Sequence, residues 1–100
     1  MKYKIKLHPI AKLELIDTFQ YYEDQQKGLG RRFLKAYQEK TRFLADNPEA
    51  CELVSLDKRR AVVNPFKYNV IYQINISKKI IVILAVMHGS RSPKRWQDRK

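Results

Sequence analysis

The sequence is short of the residues that staple, chelate or cut. It has one cysteine, Cys51, two histidines, His8 and His88, and a single acidic residue, Asp98, after position 57. One thiol forms no internal disulfide, and nothing beside Cys51 has metal-ligand spacing, so a reducing, cytoplasmic setting is the simplest expectation. A metal centre needs carboxylates to complete two histidines, and the C-terminal half supplies almost none, so no metal and no other cofactor is expected. There is no Gly-rich phosphate loop and no HExxH. The start, Met1 to Leu7, lacks the apolar stretch of a signal peptide. The longest apolar run, Ile80 to Met87, falls far short of the roughly 20 residues of a membrane helix, so no membrane association is expected.

What is present is positive charge, unevenly placed. The 100 residues carry a net +11. Residues 1–57 hold ten Lys/Arg against nine Asp/Glu, whereas residues 58–100 hold eleven against Asp98 alone. A one-sided field of this kind concentrates polyanions, so nucleic acid or a nucleic-acid machine is the expected class of partner.

One domain is expected from the length. Tyr3 to His8 alternates polar and apolar residues as a strand does. Pro9 suits a first helical turn, where its missing N–H is no loss. Ala11, Leu15, Phe19 and Tyr22 then form an apolar stripe, which Leu13 and Ile16 widen, and the spacing predicts a well-buried helix. Gln25 to Gly30 is a turn. A second helix follows from about Gly30 to Asp46, with Phe33, Ala36, Phe43 and Leu44 on its apolar face and Asn47-Pro48 as its stop. So short a connection predicts an antiparallel helix hairpin. Strands follow at Glu52–Leu56 and Arg60–Asn64. Past the Asn64-Pro65 bend, Phe66, Tyr68, Val70, Tyr72 and Ile74 alternate onto one face, and after a turn at Asn75–Lys79 comes Ile80–Met87, apolar on both faces. The class is α+β: a strand, the hairpin, then a three- or four-stranded, mostly antiparallel sheet, with a short helical turn expected in Ser92–Lys100.

Three basic groups stand out as a site: Lys58-Arg59-Arg60, Lys67, and the tail with Arg91, Lys94, Arg95, Trp96 and Arg99 after His88. If the strands are neighbours, their basic ends are expected to meet on one rim. There Arg59 and Lys67 would hold phosphates or stabilise charge on a scissile one, and His88 would move protons near neutral pH. Lys58, Arg60, Arg91, Lys94, Arg95, Trp96 and Arg99 would bind the target. His88 equally suits a plain strand end, and Trp96 a packing anchor.

Along nearly its whole length the chain resembles the RelE/ParE superfamily of type II toxins. The residues that carry the likeness are Arg59-Arg60-Ala61-Val62-Val63-Asn64-Pro65-Phe66, then Tyr68-Asn69-Val70-Ile71-Tyr72, then Ala85-Val86-Met87-His88 with Arg91-Ser92-Pro93-Lys94-Arg95-Trp96. The resemblance implies a growth-inhibiting toxin neutralised by a short acidic antitoxin, as in plasmid stabilisation modules. It implies either of two targets: DNA gyrase, bound without hydrolysis, or the ribosome, where mRNA is cut without metal. The cutting members place a basic residue three before the strand tyrosine. Here Asn69 stands there, and His88 is followed by Gly89 where an aromatic is common. The pattern leans to the ParE-like side. A ribosome-dependent endonuclease and a non-toxic basic binding module are the alternatives.

Overall fold

The computed structural model describes residues 2–88. The chain runs β1 (Lys4–Leu7), α1 (Pro9–Gln25), α2 (Leu29–Asp46), β2 (Glu52–Ser55), β3 (Lys58–Val63), β4 (Tyr68–Asn75) and β5 (Ile80–His88). The turn expected in Ser92–Lys100 lies outside the described residues.

His8 starts α1 as well as Pro9 does: its Nδ1 accepts from Ile10 N–H at 3.1 Å, satisfying a donor that the helix leaves unpaired. The hairpin turn is held by Glu23, whose carboxylate accepts from Gly28 N–H at 2.9 Å and Gly30 N–H at 3.0 Å. A negative charge at the start of α2 also suits the helix dipole. Gly28 sits at φ +88, which a side chain would strain. At Gly30 the helices touch: a Cβ there would lie 2.6 Å from the Phe19 carbonyl oxygen.

The sheet order is β1-β5-β4-β3-β2, with β1 parallel to β5 and the other neighbours antiparallel. The four strands after the hairpin match the expectation. The fifth is β1, brought back by the helical crossover to close the sheet beside β5, so the sheet is mixed. The helices pack on one face. There Ala11, Phe33, Tyr37 and Leu44 meet Ala61, Val63, Val70, Tyr72, Ile81, Ile83 and Val86. A smaller cluster of Ile71, Ala85 and Met87, with Val54 against it, lies on the other face. The double-sided apolarity of β5 is thus used on both sides.

Two burial expectations fail. Leu13 and Ile16 are 62% and 52% exposed, because α1 meets the sheet through Ala11, Leu15 and Tyr22 and turns their side outward. Phe43 is 46% exposed, with the Lys40 ammonium 5.6 Å from its ring centroid. Tyr37 takes the inward position on α2 instead.

Candidate functional site

Antiparallel register decides where the basic groups go. β3 pairs β4 with Lys58 opposite Gln73 and Val63 opposite Tyr68, and Tyr68 in turn lies opposite His88. Lys58 and His88 therefore stand at opposite ends of the sheet, five residues apart along β4, which is about 17 Å at strand rise. Lys67, exposed in the β3–β4 turn at φ 58, shares the His88 end. The single basic rim expected from the sequence does not form among the described residues, because the start of β3 lies beside the end of β4. Arg91, Lys94, Arg95, Trp96 and Arg99 lie outside the described residues.

The Lys58-Arg59-Arg60 run also divides between faces. Arg59 shares the helix side with Ala61 and Val63. Its guanidinium donates to the Cys51 carbonyl at 2.6 Å and the Glu49 carbonyl at 3.4 Å, tying down the segment after α2. Tyr72, wholly buried opposite it, donates its hydroxyl to the Pro48 carbonyl at 2.8 Å, and burial pushes that phenol's pKa up. Lys58 and Arg60 point to the other face. Both meet carboxylates there, Lys58 with Asp57 at 3.5 Å and Arg60 with Glu52.

His88 is placed by a bulge. The β4–β5 register shifts between Ile71 and Tyr72, where β5 carries Leu84 as one extra residue between Ile83 and Ala85. One extra residue flips every later side chain. Val86 and His88 thus turn to the helix side, while Ala85 and Met87 turn away. The His88 ring meets Tyr68 edge-on at 5.5 Å. Together they line a cleft of about 530 Å³ with Glu14, Asp17, Thr18, Tyr21 and Tyr22. Glu14 accepts from Val86 N–H at 3.0 Å, filling a place on β5 beyond the reach of β1. Behind the cleft, the rings of Tyr22, Phe33, Phe66 and Tyr68 pack at 5.0 to 5.9 Å. Burial raises the Tyr22 pKa, with Tyr68 and Tyr21 adding to it. Among the described residues, His88 therefore borders an acidic and aromatic hollow.

The sequence reading missed Lys4 and Lys6. Parallel pairing sets Lys4 beside Ile80 and Lys6 beside Val82, on the face opposite Ile5 and Leu7. Val82 lies beside Gln73, and Gln73 beside Lys58, so Lys6 and Lys58 share one row across four strands. The strict alternation of residues 2–7 was the available signal. Averaging charge over residues 1–57 hid it, because α1 sets Glu14, Asp17, Glu23 and Asp24 against Lys12 alone.

The comparisons agree with this architecture. A family model described as the ParE toxin of the parDE type II toxin-antitoxin system matches residues 5–93. The chain belongs to the ParE toxin family. Among solved structures, it is similar to a chain of the chromosomal ParDE system of P. aeruginosa, with TM-score 0.74 and 14% identity over 87% of this chain and 96% of that one. It is also similar to a chain of the RelBE2 toxin-antitoxin complex of Mycobacterium tuberculosis, with TM-score 0.64 and 21% identity over 88% and 99%. A third likeness is to the archaeal RelE-RelB complex of Pyrococcus horikoshii OT3, with TM-score 0.51 and 26% identity over 92% and 100%. No curated protein sequence matches. For a ParE family member the fold is thus as expected, and among the described residues no helix is long and apolar enough to cross a membrane.

Proposed function

We propose that this ParE family member arrests bacterial growth by binding a nucleic-acid machine such as DNA gyrase, and that a short acidic antitoxin neutralises it. The observation that carries the reading is the ParE family match over residues 5–93. The net charge of +11 supports both a polyanionic target assembly and an acidic antidote. Binding rather than cutting is supported by the separation of the three residues considered for catalysis. Arg59 is engaged with the carbonyls of Cys51 and Glu49, four residues of strand from His88 and five from Lys67. Asn69, opposite Val62 on the helix-free face, supplies no cation there either. In-line phosphate cleavage needs its groups around one phosphorus.

The test is induced expression with and without the neighbouring antitoxin gene, followed by two assays on the purified chain. Growth arrest relieved by the antitoxin, loss of gyrase supercoiling and intact ribosome-bound mRNA are expected. Codon-specific mRNA cleavage would replace this reading with the endonuclease. Normal growth at high levels of folded protein would leave a non-toxic binding module.

A further inference from the structure

The sheet face without helices has an asymmetry in how its cations are used. On the β3 side, Lys58 and Arg60 are each met by a carboxylate, Asp57 and Glu52. On the β1 side, Lys4 and Lys6 are both exposed, and among the described residues they meet no carboxylate. Their rows carry Ile80 and Asn75, and Val82 and Gln73; an acid reaches the second row only two strands away from Lys6, where Asp57 accepts from the Gln73 amide. The two lysines stand two residues apart on one strand face, about 6.6 Å in rise, a spacing comparable to that of successive phosphates on one nucleic-acid strand. On the adjoining strands and their turn a shallow groove of about 380 Å³ is lined by Gln73, Ile74, Asn75, Ile76, Ser77 and Val82; there the Gln73 amide donates to Asp57 and the Ser77 hydroxyl to Asn75, so among the described residues the free cations of this side are those of β1.

The ring inventory narrows the ligand. Tyr68 and Tyr72 of β4 both face the helices, and Tyr3 packs into the same core. Among the described residues no aromatic ring faces the helix-free side. Single-stranded nucleic acid is held largely by bases stacked on such rings. A duplex offers a backbone without free bases, and phosphate contacts there need only cations and hydrogen-bond donors.

We propose that the β1 side of the helix-free face, through Lys4 and Lys6, binds the phosphate backbone of duplex DNA without reading its sequence. This rests on the gyrase-directed reading above and deepens it: the toxin would touch the DNA that its target holds as well as the target protein. Parallel pairing of β1 with β5 creates the site, since it carries two lysines from the charge-balanced half of the sequence onto the same face as Lys58 and Arg60.

The test is fluorescence anisotropy of the full-length chain with a labelled short duplex, with the matching single strand and with polyglutamate as competitor, across about 50 to 200 mM salt. The wild type is expected to prefer the duplex, and polyglutamate at equal charge is expected to compete poorly. Lys4→Glu with Lys6→Glu should weaken duplex binding at least tenfold. Lys4→Gln with Lys6→Gln, milder for an edge strand, should flatten the salt slope by about 1.8, the value for two lost phosphate contacts. A charge-matched control on the helical side, Lys27→Glu with Lys35→Glu, should leave the slope unchanged. Equal losses in the control and the site variant would reduce the effect to net charge and overturn the site. Preference for the single strand, or efficient displacement by polyglutamate, would overturn the duplex assignment. Circular dichroism confirms that each variant is folded, and the glutamine pair decides the outcome if the glutamate pair is not. Growth arrest is scored separately. Duplex binding lost in the glutamine pair without any toxicity in the wild type would sink the toxin reading alone. Toxicity with duplex binding indifferent to Lys4 and Lys6 would sink this site alone.

Discussion

The two faces of the sheet are built from the same strands and have opposite chemistry. The helix-covered face buries Phe33, Tyr72, Ile81, Ile83 and Val63 to 1% exposure or less, and carries the aromatic cluster around Tyr22. The other face has the small cluster of Ile71, Ala85 and Met87, with Lys4, Lys6, Lys58, Arg60, Asn69 and Gln73 around it. One strand serves both: β1 gives Ile5 and Leu7 to the core and Lys4 and Lys6 to the far side. The period of two lets stability and recognition be set independently on one backbone. If that division holds, substitutions of the buried side chains should cost folding free energy, and those of the exposed cations on the helix-free face should cost affinity.

The largest effect should come from Phe33→Ala. The ring is fully buried and lies 5.3 to 5.4 Å from the rings of Tyr22, Phe66 and Tyr68. Its removal leaves a cavity between α2 and the sheet and is expected to cost about 3–5 kcal/mol in urea unfolding. A loss under 1 kcal/mol would mean that the aromatic cluster is not the centre of the core. Gly30→Ala should come next, at about 1–3 kcal/mol, because the new methyl meets the Phe19 backbone and the helices must part.

That core was largely legible in the sequence, and the site was not. Alternation at Phe66, Tyr68, Val70, Tyr72 and Ile74 identified the inward face of β4, and Pro9 and Asn47-Pro48 bounded the helices closely. These are local signals. The site depends on non-local ones. Which strand end meets which is set by pairing, and the Leu84 bulge that turns His88 toward Tyr68 has no mark in an unbroken apolar run. The same holds for β1. Nothing in Lys4-Ile5-Lys6-Leu7 says that it will pair parallel to β5 rather than form an outlying hairpin. Leu13 and Ile16 failed for a related reason: a helix whose apolar residues spread beyond one stripe does not declare which part of them meets the sheet.

Titration offers a comparison between the covered face and the hairpin turn. Burial pushes the Tyr37 phenol up to about 12, and it raises Tyr22 and Tyr72 as well. An unfolded tyrosine ionises near 10. The stabilisation from a neutral Tyr37 is thus complete below about pH 10 and fades as pH rises toward 12. Tyr37→Phe should flatten, without abolishing, the alkaline loss of stability measured by urea midpoints, since Tyr22 and Tyr72 still contribute. Glu23 works in the opposite direction. The Gly28 N–H, joined by that of Gly30, holds its carboxyl below the usual range. Its contribution is present above the ordinary carboxylate pKa and is lost as pH falls through the lowered one. Glu23→Gln should shrink the acid loss and leave the alkaline limb alone. An unchanged acid limb would show that the turn does not depend on the charge.

The smallest stability change, and the sharpest test of the division between faces, is expected from Glu52→Gln. Glu52 pairs with Arg60 across the β2–β3 ladder, and both side chains are well exposed, 60% and 41%. Exposed ion pairs contribute roughly 0.2–1 kcal/mol, so the urea midpoint should barely move. The electrostatic effect points the other way from that of Lys4 and Lys6. Removing the carboxylate releases the Arg60 charge on the helix-free face, where Lys58 already stands beside it in β3. Duplex affinity should rise, and its salt slope should steepen by up to about 0.9, the value for one added phosphate contact. A stability loss of several kcal/mol would instead make the pair part of the framework that holds β2 to the sheet. A normal fold with unchanged affinity would confine the phosphate contacts to the β1 side, leaving Arg60 outside the field that Lys4 and Lys6 create.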